Sequence, residues 1–155
     1  MILTFDELDH YRGRVAMVDG AFDPLHHGHI EYFRAAADYL RAALPGVEVP
    51  LLCNVASDNY VRGKHAPLLS EDHRALVIDA IRYISFTHVN RHDTETILRT
   101  LRPRYYVKGK DWAGRLPPAQ VEICTEHNIG IVCLPTALDS SSRILQQFLD
   151  RQNTA

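Results

Sequence analysis

His26 and His29 stand three residues apart in the run Gly20-Ala21-Phe22-Asp23-Pro24-Leu25-His26-His27-Gly28-His29, a spacing that sets both imidazoles on the same side of one helical turn. The run joins the end of an apolar segment to the start of a helical one. Loose backbone N–H groups and the positive end of a helix dipole meet at such a junction and favour an anion, phosphate above all. Gly20 allows a tight turn off the preceding segment, and Gly28 lets a bulky anion approach the backbone. Asp23 precedes Pro24, a pair that also initiates turns, so its role stands open between turn and site. A zinc site on His26, His27 and His29 finds no Cys or acidic partner at familiar ligand spacing, and His27 is expected to face outward.

Lysine occurs only at positions 64, 108 and 110 among 17 basic residues, and all three fall in loops. Where arginine serves elsewhere, a compact and mobile ammonium suits phosphate oxygens. Ser141 and Ser142 open the last helical pattern, where their hydroxyls serve either a phosphate or the helix as caps. No G-x-G-x-x-G follows a strand, and Gly63-Lys64 lacks the upstream glycine of a P-loop. Dinucleotide oxidoreductase and P-loop hydrolase chemistry are disfavoured.

These residues must be held by elements, and β-branched apolar runs alternating with helical periodicity supply them. Strands are expected at Arg14 to Asp19, Leu51 to Ala56, Ser85 to Asn90, Tyr105 to Val107 and Gly130 to Leu134. Between them, Ile30, Phe33, Ala37, Leu40 and Leu44 mark one helix face that Pro45-Gly46 ends. Ser70 caps a second helix with Leu76, Val77, Ala80 and Ile81 inward. Further helices run from Asp93 or Thr94 to Leu101, from about Pro117 to His127, and from near Ser141 with Ile144, Leu145, Phe148 and Leu149 inward. The alternation predicts one α/β domain over residues 1–155, a Rossmann-like doubly wound sheet of five parallel strands with helices on both faces. Ligands in such sheets bind outside the carboxyl ends of the strands, so loops 20–29, 57–69, 108–116 and 135–142 should share one rim.

Seventeen Lys and Arg against 19 Asp and Glu give a net charge of −2, which offers no long-range field for a nucleic-acid backbone or an anionic membrane. No apolar stretch approaches the roughly 20 residues of a membrane span, and the first residues lack the basic region of a signal peptide. A cytoplasmic protein is expected, with Cys53, Cys124 and Cys133 as buried thiols. Histidines 10, 65, 73, 88, 92 and 127 are read as solvated.

The first loop resembles the signature G-x-F-D-x-x-H-x-G-H of the cytidylyltransferase-like nucleotidyltransferases, matched by Gly20, Phe22, Asp23, His26, Gly28 and His29. The likeness runs from about Arg14 to Phe148. Val55-Ala56-Ser57-Asp58 with Arg62 and Lys64 resembles the family's second loop, and Val107-Lys108-Gly109-Lys110-Asp111-Trp112 is similar to the fourth-strand motif of glycerol-phosphate cytidylyltransferases and heptose-phosphate adenylyltransferases. The closing motif departs: Asp139-Ser140-Ser141-Ser142 stands where the family shows glycine and S-T-T, and Pro135-Thr136-Ala137-Leu138 replaces an R-T-E-G run.

The resemblance implies that a phosphorylated sugar or polyol attacks the α-phosphorus of ATP or CTP and releases pyrophosphate. His26, His29 and Lys64 would be catalytic. Gly20, Ala21, Phe22, Asp23, Gly28, Lys108, Gly109, Ser141 and Ser142 would hold the nucleotide, and Asp111 and Trp112 the acceptor. Mg²⁺ would come with the triphosphate and without protein ligands. A homodimer is also implied, with Tyr32 and Tyr83 as candidate contacts. Two other readings are carried: a non-catalytic nucleotide sensor of the same fold, and an aminoacyl-tRNA-synthetase-like activator, against which the missing K-M-S-K-S-like loop argues.

Overall fold

Six parallel strands form the sheet in the order β1-β4-β3-β2-β5-β6. They are β1 (Ile2–Leu3), β2 (Ala16–Gly20), β3 (Leu51–Ala56), β4 (Phe86–Asn90), β5 (Tyr105–Gly109) and β6 (Gly130–Leu134). The computed structural model describes residues 1–136 and 141–153. The helices are α1 (His27–Ala43), α2 (Asp58–Arg62), α3 (Glu71–Asp79), α4 (Thr94–Leu101), α5 (Pro118–Glu126) and α6 (Ser141–Asn153), with 3-10 turns at Leu8–Tyr11 and Lys110–Trp112. The doubly wound α/β architecture stands as read, with one strand more than the five expected. Two-residue β1 is too short for any periodicity to show; it exists because Ile2 and Leu3 pair with Thr87 and His88.

The chain winds from β2 through β3 to β4 on one side and returns to β5 and β6 on the other, so the order reverses between β2 and β5. The β2–β3 ladder runs five rungs, from Ala16↔Leu51 to Gly20↔Val55, whereas the β2–β5 ladder pairs only Ala16↔Tyr105 and Met17↔Tyr106. Beyond Met17 the two strands part and open a crevice at their carboxyl ends, where doubly wound sheets hold ligands.

Alternation gives each face its own core. Ala16, Val18, Cys53, Val55 and Val107 pack with Phe33, Ala36 and Leu40 of α1. Met17, Leu52 and Tyr106 pack with Ile97, Leu98 and Leu101 of α4 and Ile123 of α5. On this second face the strands turn polar as they reach the rim: Met17 is followed by Asp19, Leu52 by Asn54, and Tyr106 by Lys108.

Several inward assignments are corrected. Leu76 and Val77 are 63% and 46% exposed, and α3 instead buries Arg74, Ala75 and Ile78. The helix is rotated because the Arg74 guanidinium, fully enclosed, must meet its hydrogen-bond acceptors. Phe148 and Leu149 of α6 are exposed, His88 is buried, Cys133 is exposed, and Tyr32 is buried with its hydroxyl donating to the Val107 carbonyl at 2.5 Å. Tyr32 is therefore no surface contact.

Candidate active site

The turn into α1 is built by its own histidines. His26 is the N-cap in extended conformation; its Nδ1 accepts the Gly28 N–H at 3.1 Å, and its own N–H donates to His29 Nδ1 at 3.3 Å. This is a reciprocal capping box with imidazoles in place of the usual hydroxyl and carboxylate. The rings stack with centroids 3.8 Å apart and 29° between planes. Since each Nδ1 accepts a hydrogen bond, a neutral ring carries its hydrogen on Nε2. Burial, helped by the neighbouring His26, pushes the His29 pKa down to about 3, which favours the neutral form of that ring.

Phe22 supports this pair from below, its ring edge-on to His29 at 5.0 Å and tilted against Phe33. Phe22 adopts φ 53°, and a Cβ on Gly20 would stand 2.8 Å from the Phe22 ring tip. Glycine at 20 is thus required by the close approach of that ring. Ser141, at the start of α6, donates its hydroxyl to the Pro24 carbonyl at 2.8 Å, which brings the closing helix to the first loop. Ser142 is exposed beside it. Ala137, Leu138, Asp139 and Ser140 of the closing motif lie outside the described residues.

Asp23 is buried, and its carboxylate accepts the N–H groups of Leu68 and Leu69 at 2.8 and 2.9 Å. It clasps the end of the loop that carries Lys64. Arg74, which sequence reasoning missed, completes the clasp. Its guanidinium donates to the carbonyls of Ala21 and Ala56, both at 2.7 Å, to Leu69 at 3.0 Å and to the Asp58 carboxylate at 2.8 Å. A buried charge needs such partners. Glu71 adds a bond from the Asp58 N–H at 2.6 Å. The first and second loops are therefore one hydrogen-bonded unit.

A cavity of about 530 Å³ occupies the crevice on the α4 and α5 side. Gly20, Ala21, Lys64, Lys108 and Trp112 line it, while His26, His29 and Ser141 lie outside its lining. Lys64 is exposed at the mouth, its ammonium 4.7 Å from the Tyr60 ring. Lys108 is buried, 2.5 Å from the Asp19 carboxylate and 4.3 Å over the Trp112 ring. The Tyr106 hydroxyl donates to the other Asp19 oxygen at 2.7 Å, and burial together with that carboxylate raises its pKa. Asp19, Tyr106, Asn54 and Gln120 were not among the candidates, although all four line the cavity. For Asp19 and Asn54 the signal was present: β2 and β3 carry Met17 and Leu52 on one face and turn polar at the next position of the same parity, whereas Gln120 lies on α5 and Tyr106 reads as core. Asp111 and Lys110 are exposed beyond Gly109.

Residues 17–147 match the family model described as cytidylyltransferase-like. Among curated proteins, the chain is similar to the bifunctional protein HldE of Syntrophotalea carbinolica, 33% identical over 150 residues that make up 94% of this chain and 29% of that protein. It is also similar to HldE of Geobacter sulfurreducens, at 32% over 100 residues, 64% of this chain and 19% of that protein. The chain spans less than a third of the length of these relatives. Among solved structures, a lipopolysaccharide core biosynthesis protein from Thermoplasma volcanium GSS1 superposes with a TM-score of 0.61 at 21% identity, over 79% of this chain and 96% of that one, and shares the fold.

Proposed function

Because the chain belongs to the cytidylyltransferase-like family, we propose that it is a nucleotidyltransferase that moves AMP or CMP from ATP or CTP to a phosphorylated sugar or polyol. The observation that carries this reading is the stacked, mutually capped pair His26 and His29 at the amino end of a 17-residue helix, which the chain reaches one short segment after Gly20 and Ala21 of a cavity that also holds Lys64 and Lys108. A phosphate acceptor is ionised near neutral pH, so its oxygen attacks the α-phosphorus without help from a protein base, and pyrophosphate leaves from the opposite side. The protein's task is alignment and neutralisation of charge.

In this proposal the triphosphate lies along the loop from Gly20 and Ala21 through Phe22 and Asp23 to Gly28. The histidines donate to its crowded α-phosphate region, and Lys64 with Ser141 and Ser142 reaches the β and γ phosphates. Lys108 and Gly109, which the resemblance assigns to the nucleotide, are placed in this proposal with Asp111 and Trp112 on the acceptor side, because Lys108 and Trp112 line the cavity that would seat the acceptor. Mg²⁺ would come with the triphosphate and would supply neutralisation of its charge. Among the described residues no three His, Cys, Asp or Glu side chains gather into a metal cluster. Asp19 and Asp23 are already engaged, the first by Lys108 and Tyr106, the second by backbone amides. Phosphate oxygens would therefore hold the cation, as Mg²⁺ prefers.

The test is pyrophosphate release from a grid of four nucleoside triphosphates against phosphorylated sugars, polyols and amino alcohols, with and without Mg²⁺. Turnover with one pair, reduced by about 10²- to 10³-fold in His26→Ala and His29→Ala, supports the assignment. Near-normal turnover in either variant would sink it, and triphosphate binding with no release over the whole grid would favour the nucleotide sensor.

A further inference from the structure

Asn54 takes no part in the transfer as proposed, yet it occupies the centre of the polar row along the rim. In the sheet register it stands between Asp19 of β2 and His88 of β4. It is 2% exposed and lines the cavity, and its Oδ1 accepts no hydrogen bond from any described residue. His88 repeats the pattern on the next strand. Its Nδ1 meets the Leu3 carbonyl at 3.1 Å. A carbonyl only accepts, so the hydrogen sits on Nδ1 and the buried Nε2 is a second acceptor without a donor among the described residues. Burial lowers the His88 pKa, which keeps that ring neutral.

Buried acceptors without donors are rare in folded proteins, and each calls for a ligand, an ion or an ordered water. The strand pattern sharpens the point, because Leu52 occupies the same face two residues earlier and a further aliphatic side chain would extend that core. A cationic ligand is disfavoured as the missing donor. The Lys108 ammonium already holds both features that would attract one, the Asp19 carboxylate and the face of Trp112. A neutral donor remains, an O–H or an N–H, and a polyhydroxylated acceptor supplies the first.

We propose that Asn54 determines acceptor specificity, its Oδ1 accepting a hydrogen bond from a hydroxyl of a polyhydroxylated phosphate seated in the cavity. This rests on the cavity being the acceptor site. A site that presents a buried acceptor discriminates strongly against an analogue in which the matching hydroxyl is missing, because the protein group is then left unmet.

Asn54→Leu separates this role from a structural one. The probes are glycerol 3-phosphate, hexose 1-phosphates and their deoxy counterparts. They are followed by pyrophosphate release with each triphosphate and, independently of turnover, by calorimetric titration. The expected result on the best hydroxylated probe is a rise of roughly 10- to 100-fold in its KM and dissociation constant. The KM for triphosphate should hold, the discrimination between that probe and its deoxy form should collapse, and the melting temperature should stay level or rise. Asn54→Ala carries the same expectation for the probes should leucine not pack. Unchanged probe affinity, a loss that follows a lowered melting temperature with discrimination intact, or no binding of any probe to the unaltered protein would overturn the proposal. Absence of pyrophosphate from every pair would remove the transfer reaction itself, while the titrations still decide whether Asn54 reads a hydroxyl.

Discussion

His29 accepts the His26 amide through Nδ1 and stacks on the His26 ring, and burial favours its neutral form. The sign of the pH dependence follows. Its pKa of about 3 in the folded chain lies below the ordinary 6.5, so between those values the unfolded chain binds a proton that the folded chain does not. Its contribution to stability is complete above about pH 6.5 and is lost progressively as the pH falls toward 3. Denaturant titrations at pH 7 and pH 4.5 check this: the unaltered protein should lose more stability on acidification than His29→Asn, and parallel losses would contradict it. The histidines were legible because glycine and aromatic neighbours frame them at fixed spacing. Arg74 was not, since an arginine in the first turn of a helix beside Glu71 and Asp72 reads as solvated. Only the return of the chain brings Ala21, Ala56 and Leu69 within its reach.

At the scale of elements, the second loop owes its position to the first. Asp23 takes two of its amides, and Arg74 ties Ala21 to Ala56 and Leu69. Asp23→Ala would leave the Leu68 and Leu69 N–H groups without their acceptor, a loss of about 1–3 kcal/mol for each that stays buried. New proteolytic cleavage within residues 57–69 is expected, together with a higher KM for triphosphate, because Lys64 rides on that segment. Limited proteolysis and steady-state kinetics measure the two effects, and an unchanged digestion pattern would argue against the clasp. The five longer strands were legible from apolar runs that must be covered on both faces. Strand β1 and the one-turn helix α2 escaped notice because two and five residues carry too little periodicity. The rotation of α3 also escaped, because hydrophobicity alone points to Leu76 and Val77, whereas the hydrogen bonds of Arg74 decide which side faces in.

In the whole molecule the two faces of one sheet supply different halves of the proposed reaction. Helix α1 covers one face and presents the histidines; α4 and α5 cover the other and roof the cavity. Ligands held by the folded sheet stabilise all of it by mass action, by about 2.7 kcal/mol at a hundredfold excess over the dissociation constant. Thermal denaturation should therefore shift upward with Mg²⁺ and the preferred triphosphate, and the shift should shrink in His29→Ala; equal shifts in both would detach the histidines from the nucleotide. The rim itself was legible from the alternation of strands and helices, which puts the loops that follow the strands on one edge of a parallel sheet. The cluster around the cavity was legible only in part: Lys108 was read from its motif, whereas Asp19, Asn54 and Tyr106 come from three strands and meet only where β2 and β5 part.

That parting leaves Gly20 and Ala21 in the lining of the cavity, a stretch of main chain that carries nothing larger than a methyl group and leads on to the imidazoles. In the reaction proposed, nucleophile and electrophile would look at each other across this bare stretch of main chain. A side chain added at Gly20 would press first on the Phe22 ring that stands edge-on to His29, so the bareness of this stretch keeps the imidazoles where they are.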